Sequence, residues 1–132
     1  IAAASPAFWA RHFQGGVTPG SLALAPSLVF NNKDALQARW VRRLCHRHVD
    51  LPQHTLPSSQ AFVTAALAGM GWGLHPQDLI APLLADGTLI ALVPDTPLDV
   101  PLYWQETRVA SALLDGLSRV VQQAAQAQLQ AL

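Results

Sequence analysis

The sequence predicts an α/β fold, and three observations support that prediction. Short apolar runs typical of strands alternate with longer runs whose apolar residues follow helical spacing. Two hydroxyl-proline pairs, Ser5-Pro6 and Thr18-Pro19, mark helix starts, because the hydroxyl caps the helix and proline loses no hydrogen bond at its first position. Glycines follow two of the helical runs, at Gly69 and Gly87, where helix ends commonly need a left-handed residue.

Each predicted element has its own local signal. Ser27–Phe30 is a continuous apolar run typical of a buried strand, and Leu36, Trp40 and Val41 repeat at helical spacing after Asp34. In chain order we expect a strand at 1–4, helices at 6–13 and 19–25, a strand at 27–30, a helix from 34, a strand near 54–56, a helix at 59–70, a strand at 72–74, a helix at 76–86, strands at 88–93 and 100–105, and a last helix capped by Ser111.

Composition excludes several classes of protein. The chain has 132 residues, 51% apolar and 12% charged, which suits one compact domain with a real core. Eight basic and eight acidic side chains cancel, so this chain lacks the basic surface that nucleic-acid binding requires. One cysteine forms no internal disulfide, and no apolar run approaches the roughly 20 residues of a membrane span. The first residues do not resemble a signal peptide, so we expect a cytoplasmic protein whose chain begins in mid-fold.

The motifs that could indicate an enzyme are incomplete. Gly69, Gly71 and Gly73 resemble a phosphate-binding loop, but they follow a helix and precede a strand, the reverse of a nucleotide-binding motif. Cys45 and its neighbouring histidines lack the further ligands of a zinc site, so we expect a packed helix end. Ser58 lacks the flanking pattern of a nucleophile elbow. We therefore expect no enzyme, no cofactor and no metal.

The serine pair in LPSSQAFVTAALAGMGWGLHP has two interpretations. The first N–H groups of a helix are unpaired and carry partial positive charge, so they bind anions such as a carboxylate. A serine at that position also caps the helix, which is the commoner role of a single serine. Two consecutive serines, Ser58 and Ser59, leave one hydroxyl for a ligand.

Several segments resemble the effector-binding domain of LysR-type transcriptional regulators. The run SSQAFVTAALAGMGWGLHPQDLIAPLLADGTLIAL has the family's serine before a helix, Gly-x-Gly turn, proline after a short strand and later Gly-x-Leu. The flanking ASPAFWARHF, APSLVFNNKDALQARW and DVPLYWQ resemble the arginine- and lysine-responsive branch, known as ArgP or IciA. The resemblance covers essentially the whole chain.

The resemblance implies a type-2 periplasmic-binding-protein-like fold, in which two α/β lobes enclose a small molecule. On the family layout, residues 1–97 form the second lobe, and residues 98–132 cross back to complete the first lobe with a strand and the last helix. This chain would thus hold one complete lobe and the C-terminal part of the other. The family's DNA-binding winged helix-turn-helix is absent from this chain, so DNA would be bound only through that N-terminal domain.

The resemblance also indicates residues for an effector site. Ser58 and Ser59 match the family's serines at the start of a helix that faces the cleft, and Asn31 follows a strand at its carboxyl end, where α/β proteins bind ligands. Asp34 suits a cationic side chain, with helix capping as its alternative role. Trp104 lies just past the crossover and would line the cleft, with a place in the core as its alternative.

The function implied is sensing of a small metabolite, with arginine or lysine preferred, to control transcription. We expect a homo-oligomer, either a dimer or a tetramer, and no membrane partner. A solute-binding protein of the same fold that serves transport is the alternative.

Overall fold

The computed structural model describes residues 1–106 and 111–129. These residues divide into two compact units, 1–98 and 99–132. The first unit holds five short strands and five helices: β1 Ala2–Ala4, α1 Pro6–His12, α2 Pro19–Leu22, β2 Ser27–Val29, α3 Leu36–Cys45, β3 Gln53–Thr55, α4 Ser59–Leu67, β4 Gly73–Leu74, α5 Gln77–Ala85 and β5 Ile90–Ala91. The second unit holds α6, Ser111–Gln128. The assignment of these units to two lobes stays a prediction.

The strands of the first unit form a mixed sheet. Strand β1 lies between β4 and β5 and is antiparallel to both, whereas β2 and β3 run parallel. A parallel bridge between Ser27 and Trp72 connects the two sets, with the Leu28 N–H donating to the Trp72 carbonyl at 2.7 Å. The carboxyl ends of β2 and β3 therefore emerge at one edge, beside β4.

Helices cover both faces of this sheet. Ala2 and Ala4 belong to one buried cluster and Ala3 to another, as expected when side chains alternate across a strand. The first cluster contains Phe8, Phe13, Leu22, Trp40 and Trp72, and the second contains Leu28, Phe62, Ala65, Ala66, Ile80 and Leu89. Within the described residues, no helix is both long and apolar enough to cross a membrane.

One predicted element is wrong and several are shorter than predicted. The segment 100–105 is exposed and forms no strand, because no other backbone segment of the described chain pairs with it. Helix α2 ends at Leu22 instead of residue 25, and α3 begins at Leu36 instead of Asp34. Strand β5 keeps only two of the six residues predicted at 88–93. The other elements lie where the sequence predicts them, with shifts of one to three residues at their ends.

The glycines after α4 act in folding, as their order in the sequence indicates. Gly69 has φ +73°, a left-handed conformation that suits a helix end. A Cβ at Gly73 would lie 2.6 Å from Cε1 of Phe62, and one at Gly71 would lie 2.8 Å from Cδ2 of Leu28. These two glycines are required because the chain passes directly against the core.

Candidate functional site

The parallel pair β2 and β3 creates the edge where four of the predicted site residues lie. Val29 is paired with Thr55, and the Leu56 N–H donates to the Val29 carbonyl at 2.9 Å, so the two strands end together. Residues 30–35 leave β2 as a turn, and residues 57 and 58 lead from β3 into α4. Loops at the carboxyl ends of parallel strands are where α/β proteins bind ligands. This arrangement brings Asn31, Asp34, Ser58 and Ser59 to one edge of the sheet.

Ser58 and Ser59 have different roles at the start of α4. Ser58 is the N-cap, with extended backbone angles, and its Oγ accepts a hydrogen bond from the Ala61 N–H at 3.3 Å. The capping alternative therefore describes Ser58. Ser59 is the first helical residue, it is exposed, and its hydroxyl has no hydrogen-bond partner in the described chain. The Ser59 and Gln60 N–H groups likewise have none there, so this helix start presents donors to solvent.

Asn31 and Asp34 hold the turn after β2. The Asn31 Oδ1 accepts from the Lys33 N–H at 2.8 Å, and the Asp34 N–H donates to the Asn31 carbonyl at 3.1 Å. The two carboxylate oxygens of Asp34 accept from the Phe30 N–H at 2.9 Å and the Leu36 N–H at 3.1 Å. The N-cap of α3 is Ala35, so Asp34 is not the N-cap that was its alternative role; it lies one residue earlier, where it binds the Leu36 N–H at the start of the helix.

The Asp34 carboxylate keeps capacity for a cation. A carboxylate has about four lone-pair sites, and two backbone N–H groups leave part of that capacity unused. Throughout the described chain, no lysine, arginine or histidine side chain forms an ion pair with Asp34, which is half-buried. A negative charge without a protein counter-ion therefore lies at the same edge as the N–H donors of α4.

Trp104 belongs to the second unit. Its Nε1 donates to the Ser118 Oγ at 2.9 Å, and that hydroxyl donates in turn to the Glu106 carboxylate. The indole is 45% exposed in this chain. Ser118 is buried, and it fastens the segment before α6 to that helix. The part of Trp104 in effector binding stays a prediction.

Sequence reasoning missed two buried polar side chains. Gln37 is 1% exposed, and both its Oε1 and its Nε2 lack a hydrogen-bond partner within the described residues. His75 is 3% exposed, and its Nε2 also lacks one there. Gln37 could have been noticed, because it occupies an apolar-stripe position of α3, three residues before Trp40. Burial lowers the pKa of His75 to about 4.

The cysteine-histidine segment lies at the end of α3, away from this edge. His46 has φ +55° and ends the helix, and His48 Nε2 lies 2.9 Å from the Asp50 carboxylate. Burial raises the pKa of the Cys45 thiol, whereas the nearby Arg47 opposes that shift. Among the residues that the structure describes, no three metal-ligating side chains lie close together.

Comparison with known proteins gives a family match over most of the chain. The family model for the LysR substrate binding domain matches residues 1–126. The transcriptional regulator ArgP of Pseudomonas fluorescens is 44% identical over 115 residues, which is 86% of this chain and 38% of that protein. The chain spans about 40% of the length of the curated relatives that it matches.

Two solved structures resemble the fold closely. The C-terminal domains of a LysR family protein from Agrobacterium tumefaciens superpose with a TM-score of 0.96 at 53% identity, covering 99% of this chain and 63% of that one. Full-length LysG from Corynebacterium glutamicum, with bound effector arginine, has a TM-score of 0.68 at 30% identity, covering 90% of this chain and 42% of that one. These likenesses confirm the predicted fold class.

Proposed function

The chain belongs to the LysR family as a substrate-binding domain, and we propose that it senses a basic amino acid, arginine or lysine, in a protein that controls transcription. The family match confirms an effector-binding domain, and regulators of this family are not enzymes. The finer assignment concerns which molecule is bound and which residues hold it.

One observation carries this proposal: the edge formed by β2 and β3 presents groups complementary to both ends of a basic amino acid. Ser59 and the unpaired N–H groups of α4 suit an α-carboxylate, because helix starts carry partial positive charge and hydrogen-bond donors. Asp34, which has no counter-ion among the described residues, suits an ammonium or guanidinium group. A neutral amino acid would leave that carboxylate without a partner.

A relative supports the chemistry. LysG of Corynebacterium glutamicum has been solved with its effector arginine bound, and it shares 30% identity with this chain. The transcriptional regulator ArgP of Pseudomonas fluorescens is a second relative, at 44% identity. Both relatives are regulators, which favours transcriptional control over transport, the alternative that the residues left open.

The protein's action would follow from the family's organisation. We assign DNA binding to a separate N-terminal domain, because eight basic and eight acidic side chains cancel in this chain and leave no excess positive charge for nucleic acid. The working form is a homo-oligomer, a dimer or a tetramer, in the cytoplasm. An effector can shift the equilibrium between an open and a closed form of the regulator only if it binds one form more tightly than the other. We propose that the closed form, in which the lobes enclose the amino acid, binds it more tightly.

Calorimetry on the regulator that contains this chain tests the proposal. Arginine and lysine should bind, whereas citrulline, which replaces the guanidinium by a neutral urea group, should bind at least about tenfold more weakly. Asp34→Asn should remove most of that preference. Asp95→Asn is a matched control, because Asp95 is an exposed carboxylate with φ +57°, a conformation that asparagine tolerates.

The proposal is contradicted if citrulline binds as tightly as arginine to the wild-type protein. Equal binding of arginine by Asp34→Asn and Asp95→Asn would show instead that Asp34 only holds the turn before α3.

A further inference from the structure

Gln37 is a polar side chain placed where an apolar one would pack without cost. It shares a face of α3 with Trp40 and Val41, which are buried in the main core cluster. Both of its amide atoms are buried and lack hydrogen-bond partners in the described chain. Since buried polar groups are nearly always paired, such an amide requires an explanation.

The position of Gln37 connects it with the candidate site. Gln37 is the second residue of α3, and that helix begins directly after the turn that leaves the carboxyl end of β2. The preceding residue, Leu36, donates its N–H to the Asp34 carboxylate at 3.1 Å. Side chains of a helix lean towards its N-terminus, and for α3 this is the end whose first N–H is bound by Asp34.

On the basis of the proposed function, we infer that Gln37 is a specificity-determining residue that binds the cationic end of the effector together with Asp34. Its Oε1 accepts a hydrogen bond from the same group that pairs with the Asp34 carboxylate. A guanidinium has five N–H donors in a planar fork and engages both acceptors at once, whereas an ammonium is a compact group with three. Gln37 thus favours arginine over lysine.

The burial of Gln37 makes this contact selective. The side chain of Gln37 is 1% exposed, so a ligand atom that contacts its amide is itself shielded from water. In such a place, a ligand group that cannot hydrogen-bond to the amide binds much more weakly. An amide kept for a ligand lowers the stability of the free protein, because an apolar side chain of similar volume would pack at the same place. If Gln37 instead serves the fold, its replacement by an apolar residue should lower the stability of the free protein.

The test compares Gln37→Met and Gln37→Leu in the regulator that contains this chain, with Gln77→Met as the control. Gln77 is the exposed first residue of α5, so its replacement makes the same chemical change outside the core. We expect both Gln37 variants to unfold at temperatures equal to or a few degrees above the wild type. We expect arginine binding to weaken about 10- to 100-fold, and lysine binding to weaken less.

Two results overturn the inference while leaving the proposed function intact. One is wild-type affinity for arginine in both Gln37 variants; the other is a lower unfolding temperature in both without a change in the ratio of arginine to lysine affinity. Absence of arginine and lysine binding to the wild-type protein would overturn the proposed function and this inference together.

Discussion

The two ends of α4 differ in what their residues do. At the start, Ser58 caps the helix, while Ser59 and two N–H groups face solvent without partners in the described chain. After the last turn, Gly69 reverses the chain, and Gly73 then packs against Phe62, which lies in the first half of the helix. We call residues 69–75, which follow the helix, the packed end. The helix start keeps unused hydrogen-bonding capacity, whereas the packed end leaves no room for a side chain at Gly73.

The largest effect is expected at the packed end. Gly73→Ala would place a Cβ 2.6 Å from Cε1 of Phe62, and the resulting overpacking should lower the free energy of unfolding by about 3 kcal/mol. Gly15→Ala is the matched control, since a Cβ there meets nothing within 4 Å, and it should stay within about 0.5 kcal/mol of the wild type. Urea denaturation measures both; equal stabilities would show that the packed end tolerates added volume.

Acid should also act on the packed end, through His75, whose ring lies edge-on to Phe62 at 5.3 Å between ring centroids. Its folded-state pKa, about 4, lies below the ordinary 6.5, so the folded state binds fewer protons than the unfolded state between these values. This contribution is complete above pH 6.5 and is lost as pH falls towards 4, by up to about 3 kcal/mol.

The free energy of unfolding measured from pH 7.5 to 4.5 tests this loss, with His75→Phe for comparison. His54→Asn is the control, because it removes a histidine whose side chain is exposed. If the free energy of unfolding depends on pH in the same way in the wild type and in His75→Phe, His75 is not the cause of the loss of stability in acid.

The smallest effects should separate the two serines at the start of α4. Ser58→Ala removes the cap on the Ala61 N–H and should cost about 1 kcal/mol of stability. Ser59→Ala should leave stability within about 0.5 kcal/mol but weaken arginine binding by about 1 to 3 kcal/mol. Thermal unfolding and calorimetry of the same two variants check both statements. Equal arginine affinities for wild type and Ser59→Ala would make both serines parts of the fold alone.

Local signals account for what could be predicted from the sequence. The Ser5, Thr18 and Ser58 caps and the glycines after α4 depend on neighbouring residues, and the structure has all of them. The strand predicted at 100–105 failed because a strand needs a paired neighbour, which an apolar run does not specify. The place of Gln37 in the apolar stripe of α3 is visible in the sequence, but the lack of a hydrogen-bond partner for its amide is not. The roles of Ser59, Asn31, Asp34 and Trp104 in effector binding stay predictions.

The position of β1 in the sheet has a consequence for how the first unit folds. Strand β1, Ala2–Ala4, is paired with Gly73–Leu74 on one side and with Ile90–Ala91 on the other. Both partners are therefore far from β1 in the sequence. Bringing residues that are distant in the sequence together costs chain entropy before their contacts form, and this slows folding. During synthesis, β1 leaves the ribosome before both of its partner strands, and its ladder is complete only after residue 91 has emerged. Until then, both sides of this apolar strand have unpaired backbone N–H and C=O groups, which favour aggregation with other chains.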